Sequence, residues 1–133
     1  MTTLTKEPRI EAGSNVEDKY EMPKHVKGSE KVFGANADDP HADLSTSSFT
    51  TFWTWRANGV FKAVRFNHPS VNANSRVFVS VSEFNSDARV NRFIGDAKMA
   101  VFNVAPFNGG FFAWVEISWS TPLNARFDVL IDP

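Results

Sequence analysis

Gly109 to Pro133 reads GGFFAWVEISWSTPLNARFDVLIDP, and its pattern decides the fold. Phe111, Ala113, Val115, Ile117 and Trp119 fall on one side of an extended chain, and Phe112, Trp114, Glu116 and Ser118 on the other. A period of two carried by aromatic and β-branched residues is the signature of a strand. Ser120-Thr121-Pro122-Leu123-Asn124 then has turn chemistry, because proline fixes φ and asparagine tolerates unusual backbone angles. The alternation resumes from Arg126 to Ile131, with Phe127, Val129 and Ile131 on one face. The expectation is a terminal β-hairpin entered through Gly109-Gly110.

Upstream, the same signals recur at short intervals. Asp96 to Val104 alternates Ala97, Met99 and Val101 with Lys98, Ala100 and Phe102. Arg76 to Phe84 sets Val77, Val79 and Val81 against Phe78, Ser80 and Ser82, a half-solvated strand. Phe49 to Arg56 is rich in threonine and aromatic residues, which suit a pleated surface. Asn58-Gly59 follows, the strongest short hairpin signal, and Val60 to Phe66 reads as the returning strand. Ala88 to Gly95 fits a helical turn, a loop or a strand equally well. No segment carries a convincing helical period. The pattern predicts an all-β fold: a small antiparallel β-sandwich of about six strands, spanning residues 49–133.

Residues 1–48 differ in composition. Nine acidic residues face six basic ones, and the apolar islands are short. Such a segment buries too little to offset its own ordering entropy. It reads as a polar N-terminal arm, flexible or extended, or one that becomes ordered against a neighbouring subunit or larger assembly. Its stretch from Gly34 to Asp43 is rich in carboxylates and turn formers. That could offer oxygen ligands to a hard cation, but an acidic solvated loop explains it as well.

Composition excludes several chemistries. There is no cysteine, which removes disulfides, thiolate metal sites and cysteine nucleophiles. The net charge of −1 supplies no field for non-specific binding to nucleic acid or an acidic membrane. No run approaches the roughly 20 apolar residues of a membrane helix. The first residues, MTTLTKEPRIEAG, lack the apolar core of a signal peptide. An extracellular or virion-associated place would then be reached by another route. Phenylalanine is abundant, with 13 copies against one tyrosine. It fills a core, or covers a partner, without a polar atom to satisfy.

No catalytic or cofactor motif stands out. His25, His41 and His68 have no metal-ligand spacing, so no metal site is expected. Glu83 with Asp87, Asp96 with Glu116 and Asp128 with Asp132 could be acid–base pairs only if folding set their separations. Each reads as well as a solvated strand end, and the chain is expected not to be an enzyme. Trp53, Trp55 and Phe61 near basic residues could stack on single-stranded nucleic acid, or pack as core. Carbohydrate recognition needs less: an exposed aromatic face and a few fixed polar groups. Trp119 between Ser118 and Ser120 fits that description, as do Trp53 and Trp55 beside Arg56.

The order of segments from Phe61 to Ile131 resembles the H-type lectin domain, found in snail agglutinins and at the carboxyl end of discoidins. The counterparts are FKAVRF at 61–66, NHPSV at 67–71, RVFVSVSEF at 76–84 and DAKMAVF at 96–102. NVAPFNGGF at 103–111, ISW at 117–119 and RFDVLID at 126–132 complete them. The resemblance covers about the last half of the chain and lies in the order of short motifs. It implies a sandwich that forms a homotrimer and binds glycans of the N-acetylgalactosamine type without a cofactor. It assigns the sugar site to Lys98, Trp119 and Ser120, with Asp96 at the family's asparagine position. Lysine stands where the family has arginine, which keeps the charge without the planar fork. The alternative is a structural protein of a virion, tail or other large complex, engaging partners through residues 1–48.

Overall fold

The computed structural model describes residues 21–32 and 44–133, which contain no helix. The acidic stretch 34–43, with His41, lies outside them. Nine strands are present among the described residues: β1 (Lys24–His25), β2 (Lys31–Val32), β3 (Phe49–Ala57), β4 (Gly59–Asn67), β5 (Arg76–Phe84), β6 (Arg92–Phe93), β7 (Lys98–Phe107), β8 (Gly110–Ser118) and β9 (Leu123–Asp132). Six are long and build a sandwich. The larger sheet has the order β3-β9-β5, extended by β6 beyond β5 and by β1 and β2 on the free edge of β3. The smaller sheet has the order β4-β8-β7, and every pairing is antiparallel.

The expected faces hold for the closing strands, but their pairing differs. β8 is the centre of the small sheet and β9 the centre of the large one, so they are not a hairpin. The 119–122 segment carries the chain from one sheet to the other. Asn58-Gly59 does the same. Ala57 lies opposite Leu123 in the large sheet, while Gly59 lies opposite Ile117 in the small one. One residue spans the corner, and Gly59 takes φ of 116°, a backbone angle that L side chains rarely adopt. The local hairpin signal was therefore a true turn signal with the wrong partner. A tight hairpin does form between β7 and β8, turned through Asn108-Gly109.

Between the sheets, the core is aromatic. Trp53, Phe66, Phe111 and Phe127 are buried together with Val64, Val115, Ile117, Val129 and Ile131. Phe66 and Phe111 stack with centroids 4.7 Å apart, and Trp53 meets both edge-on at 5.5 and 5.6 Å. A bulge between Phe61 and Val64 breaks the simple alternation of β4. Val64 and Phe66 consequently join Phe61 against the core, while Ala63 packs outside with Phe107 and Phe112.

Residues 21–32 form a strap along β3. Lys24 and His25 lie opposite Thr54 and Trp53, and Lys31 and Val32 opposite Thr50 and Phe49. Between them the chain kinks at Gly28, with φ of 79°. The strap covers an edge that would otherwise present unpaired backbone groups. The indole N–H of Trp55 donates to the Glu21 carbonyl at 2.6 Å and pins its start.

Candidate functional site

The four residues assigned to a sugar site gather at one end of the small sheet. Lys98 opens β7 directly opposite Ser118, the last residue of β8. Trp119 and Ser120 follow in the bend, and Asp96 lies two residues before β7. All four are exposed, Trp119 to 45%. The bend is held from two sides. The Trp119 N–H donates to the Ile117 carbonyl at 3.1 Å, and the Asn58 side-chain amide donates to the Trp119 carbonyl at 3.0 Å. Trp119 therefore leaves the core-facing series to which strict alternation assigned it. Trp53 and Trp55, by contrast, are buried, and Phe61 packs against the same core. The stacking platform that their spacing allowed does not exist.

A second feature lies on the outer face of the large sheet. Thr50 and Phe52 of β3 and Arg126 and Asp128 of β9 share that face, because outward residues of neighbouring strands stand side by side. The strap's Ser29, Glu30 and Lys31 wall one side, and Arg89 and Arg92 the other, around a cleft of about 450 Å³. Arg126 is locked: its guanidinium lies 3.7 Å from the Phe52 ring centroid. It donates to Asp128 Oδ1 through Nε at 3.0 Å and Nη2 at 2.8 Å, and to the Ala88 carbonyl at 2.8 Å. Arg92 donates to the other oxygen of Asp128 at 2.8 Å. An arginine on an aromatic ring with a forked carboxylate contact is a rigid unit.

Behind the cleft wall, histidines that are 43 positions apart in sequence meet one carboxylate. His25 Nε2 lies 3.2 Å and His68 Nε2 3.4 Å from Glu30 Oε1. Sequence spacing sees no such pair, because the strap brings His25 to the loop after β4. The three ligand-type atoms lie within 4.8 Å of one another, close enough to surround a metal ion. The hydrogen bonds oppose that use. The Ser70 N–H donates to His68 Nδ1 at 3.2 Å, which leaves the neutral ring's own proton on Nε2, aimed at Glu30. His25 Nε2 also lies 2.7 Å from Thr51 Oγ1. The group is a hydrogen-bonded latch between strap and sandwich. Burial, the largest effect, pushes the His25 pKa down, and the nearby His68 and Lys27 add to this while Glu30 opposes it. The Glu30 carboxyl is held below its ordinary value, first by its own backbone N–H and then by His68 and the charge of His25, with burial acting the other way.

Asp132 is engaged elsewhere in the large sheet. Asp132 is buried and accepts from Ser45 at 2.5 Å and from Arg76 Nε at 2.9 Å. Those bonds, Ser45 first, hold its carboxyl below the usual range. Asp128 and Asp132 each have their own arginine partners, so they do not form a coupled acid–base pair.

On the outer face of the small sheet, Arg65 lies over Phe107 at 4.9 Å and Lys62 over Trp114 at 5.5 Å. Phe102 and Val60 are exposed to 58% and 61%.

Sequence reading passed over Arg89, Arg92 and Asp128 as cleft residues. One signal was available: Arg126 and Asp128 sit two apart on a strand and so must share a face. Arg89 and Arg92 lie in the stretch whose structure the sequence left open. Compared with protein-family models, with curated proteins and with solved structures, the chain finds no match in any of the three.

Proposed function

We propose that this chain is a non-enzymatic, H-type-lectin-like carbohydrate-binding sandwich that acts as a homotrimer. The observation that carries the proposal is the bend after β8. There an exposed tryptophan is held by backbone and side-chain hydrogen bonds beside Lys98 and Ser118. An indole face covers the apolar side of a sugar ring, and nearby ammonium, hydroxyl and carboxylate groups can take its hydroxyls. In this reading Trp119 stacks on the sugar, Lys98 and Asp96 bind hydroxyls, and Ser120 closes the rim.

The test is a panel of neutral glycans, N-acetylgalactosamine included, presented to the purified full chain. Binding that falls at least tenfold in Trp119→Ala, and by a smaller factor in Lys98→Ala, is expected. A folded wild-type protein that binds none of them defeats the reading.

The outer face of the small sheet favours a second reading, in which the same sandwich is a building block of a virion, tail or other complex. Exposed Phe102 against Trp114, with exposed Val60 on the same sheet, offers apolar surface of the kind that copies or partners cover. Light scattering separates the outcomes. A trimer that binds glycan supports the lectin, and a trimer or larger assembly without glycan binding supports the building block. A monomer contradicts the trimer in both.

A further inference from the structure

Among the described residues, the cleft on the large sheet has more positive charge than the carboxylates that line it. Lys31, Arg89, Arg92 and Arg126 line it, against Glu30 and Asp128. Asp128 is already divided between two arginines, one on each oxygen. Glu30 faces the two histidines. Among the described residues, neither Lys31 nor Arg89 has an ion-pair partner. Arg92 spends one nitrogen on Asp128 and stays 46% exposed, so its other donors are available.

We infer that this cleft binds the oxyanion of an acidic saccharide, a carboxylate or a sulfate ester. Guanidinium groups match planar and tetrahedral oxyanions through paired N–H donors. Arg126 and Asp128 are the rigid floor, with Phe52 fixing the Arg126 plane from below. Arg92, set by Asp128, and Arg89 and Lys31, with no ion-pair partner among the described residues, are the groups that reach the anion. The size suits one or two sugar rings, since small-ligand pockets run from roughly 300 to 1,000 Å³.

A nucleic-acid strand fits less well. Its bases need an exposed aromatic face, and the only ring among the described residues that line the cleft, Phe52, is buried beneath Arg126. That the anion sits on a sugar rests on the carbohydrate reading above. The cleft is nevertheless a different place from the Trp119 bend, at the outer face of the opposite sheet, so the two can fail separately.

The experiment uses the full chain in titration calorimetry. Its probes are a sulfated and a sialylated oligosaccharide, their uncharged counterparts, inorganic sulfate and phosphate, and a single-stranded oligonucleotide. We expect the acidic oligosaccharides to bind and to weaken at least threefold between 50 and 300 mM salt, as partly exposed charges should. The uncharged counterparts should bind at least tenfold more weakly at this cleft. The Lys31→Ala/Arg89→Ala double variant breaks no ion pair among the described residues, so it should keep the wild-type melting temperature while losing at least tenfold in affinity. Trp119→Ala should leave acidic-saccharide affinity unchanged.

Unchanged affinity in the double variant overturns the site. Loss in Trp119→Ala but not in the double variant assigns acidic sugars to the bend and overturns it equally. Inorganic sulfate or phosphate binding as tightly as the oligosaccharides overturns the saccharide assignment, as does preferential binding of the oligonucleotide. No binding of any anion by folded protein refutes the inference outright.

Discussion

The side-chain amide of Asn58 donates to the backbone carbonyl of Trp119 at 3.0 Å and ties together two of the corners where the chain changes sheets. β3 leaves the large sheet at Asn58, and the bend through Trp119 brings the chain back into it as β9. Asn58→Ala removes this link at an exposed site, where one hydrogen bond is worth about 1 kcal/mol. The expected result is a loss near that size in urea unfolding, with the fold retained. If Trp119 is the stacking residue, the same variant also weakens glycan binding by releasing the bend.

Gly110 and Gly109 are adjacent but constrained differently. A Cβ at Gly110 would lie 2.2 Å from the Phe66 carbonyl oxygen and 3.0 Å from the Phe107 ring. The first contact is with backbone, which cannot swing aside. Gly109 has open space around it but takes φ of 107°. We expect Gly110→Ala to cost about 3 kcal/mol or more through forced separation of β4 and β8. Gly109→Ala should cost about 1–2 kcal/mol through backbone strain alone. Urea midpoints in the reverse order would contradict the packing.

The phenylalanines also divide into classes. Phe66 is fully buried and stacks on Phe111, whereas Phe78 on the outer face is 58% exposed. Phe66→Ala should destabilise by about 3–5 kcal/mol, as core truncations of this size do. Phe78→Ala should stay within about 0.5 kcal/mol in the monomeric fold. A larger loss at Phe78 that depends on protein concentration would mark it as part of an interface.

These contrasts show what the sequence carried and what it did not. The inward residues of β8 and β9 were legible, because a period of two states which side chains share a face. Their partners were not. A turn signal reports that the chain reverses, but staying in one sheet and crossing to the other use the same proline, asparagine and glycine chemistry. The bulge in β4 was invisible because Lys62 and Ala63 read as ordinary alternation. At the sites, Lys98, Trp119 and Ser120 could be grouped by motif order. The cleft needed Arg92 from a short strand of no clear period, and the latch needed His25 from a segment with little apolar content of its own.

The latch gives the molecule a direction in pH. His25 has a pKa below the ordinary histidine value of about 6.5, because burial disfavours its charge. Its contribution is therefore fully present above that value and is lost as pH falls through its folded pKa, since the unfolded chain takes the proton first. Glu30 and Asp132 are depressed as well, so their contributions are full above ordinary carboxylate values and are lost at lower pH. All three effects weaken the fold on acidification, in two steps. The first, below about pH 6.5, acts on the strap, where His25 lies against Trp53 at 4.7 Å. The second, below about pH 4, adds the loss of Glu30 from the latch and of Asp132 from the Ser45 and Arg76 contacts of the sandwich. The indole N–H of Trp55 reports the first step, because it is bonded to the strap at the Glu21 carbonyl. Its hydrogen exchange should accelerate between pH 7 and 5 relative to core amides such as Val129, after correction for intrinsic rates. His25→Gln should remove that step while leaving the acid transition near pH 4 in place. Equal pH dependence at Trp55 and Val129, or a first step that survives in His25→Gln, would show that the histidine does not hold the strap.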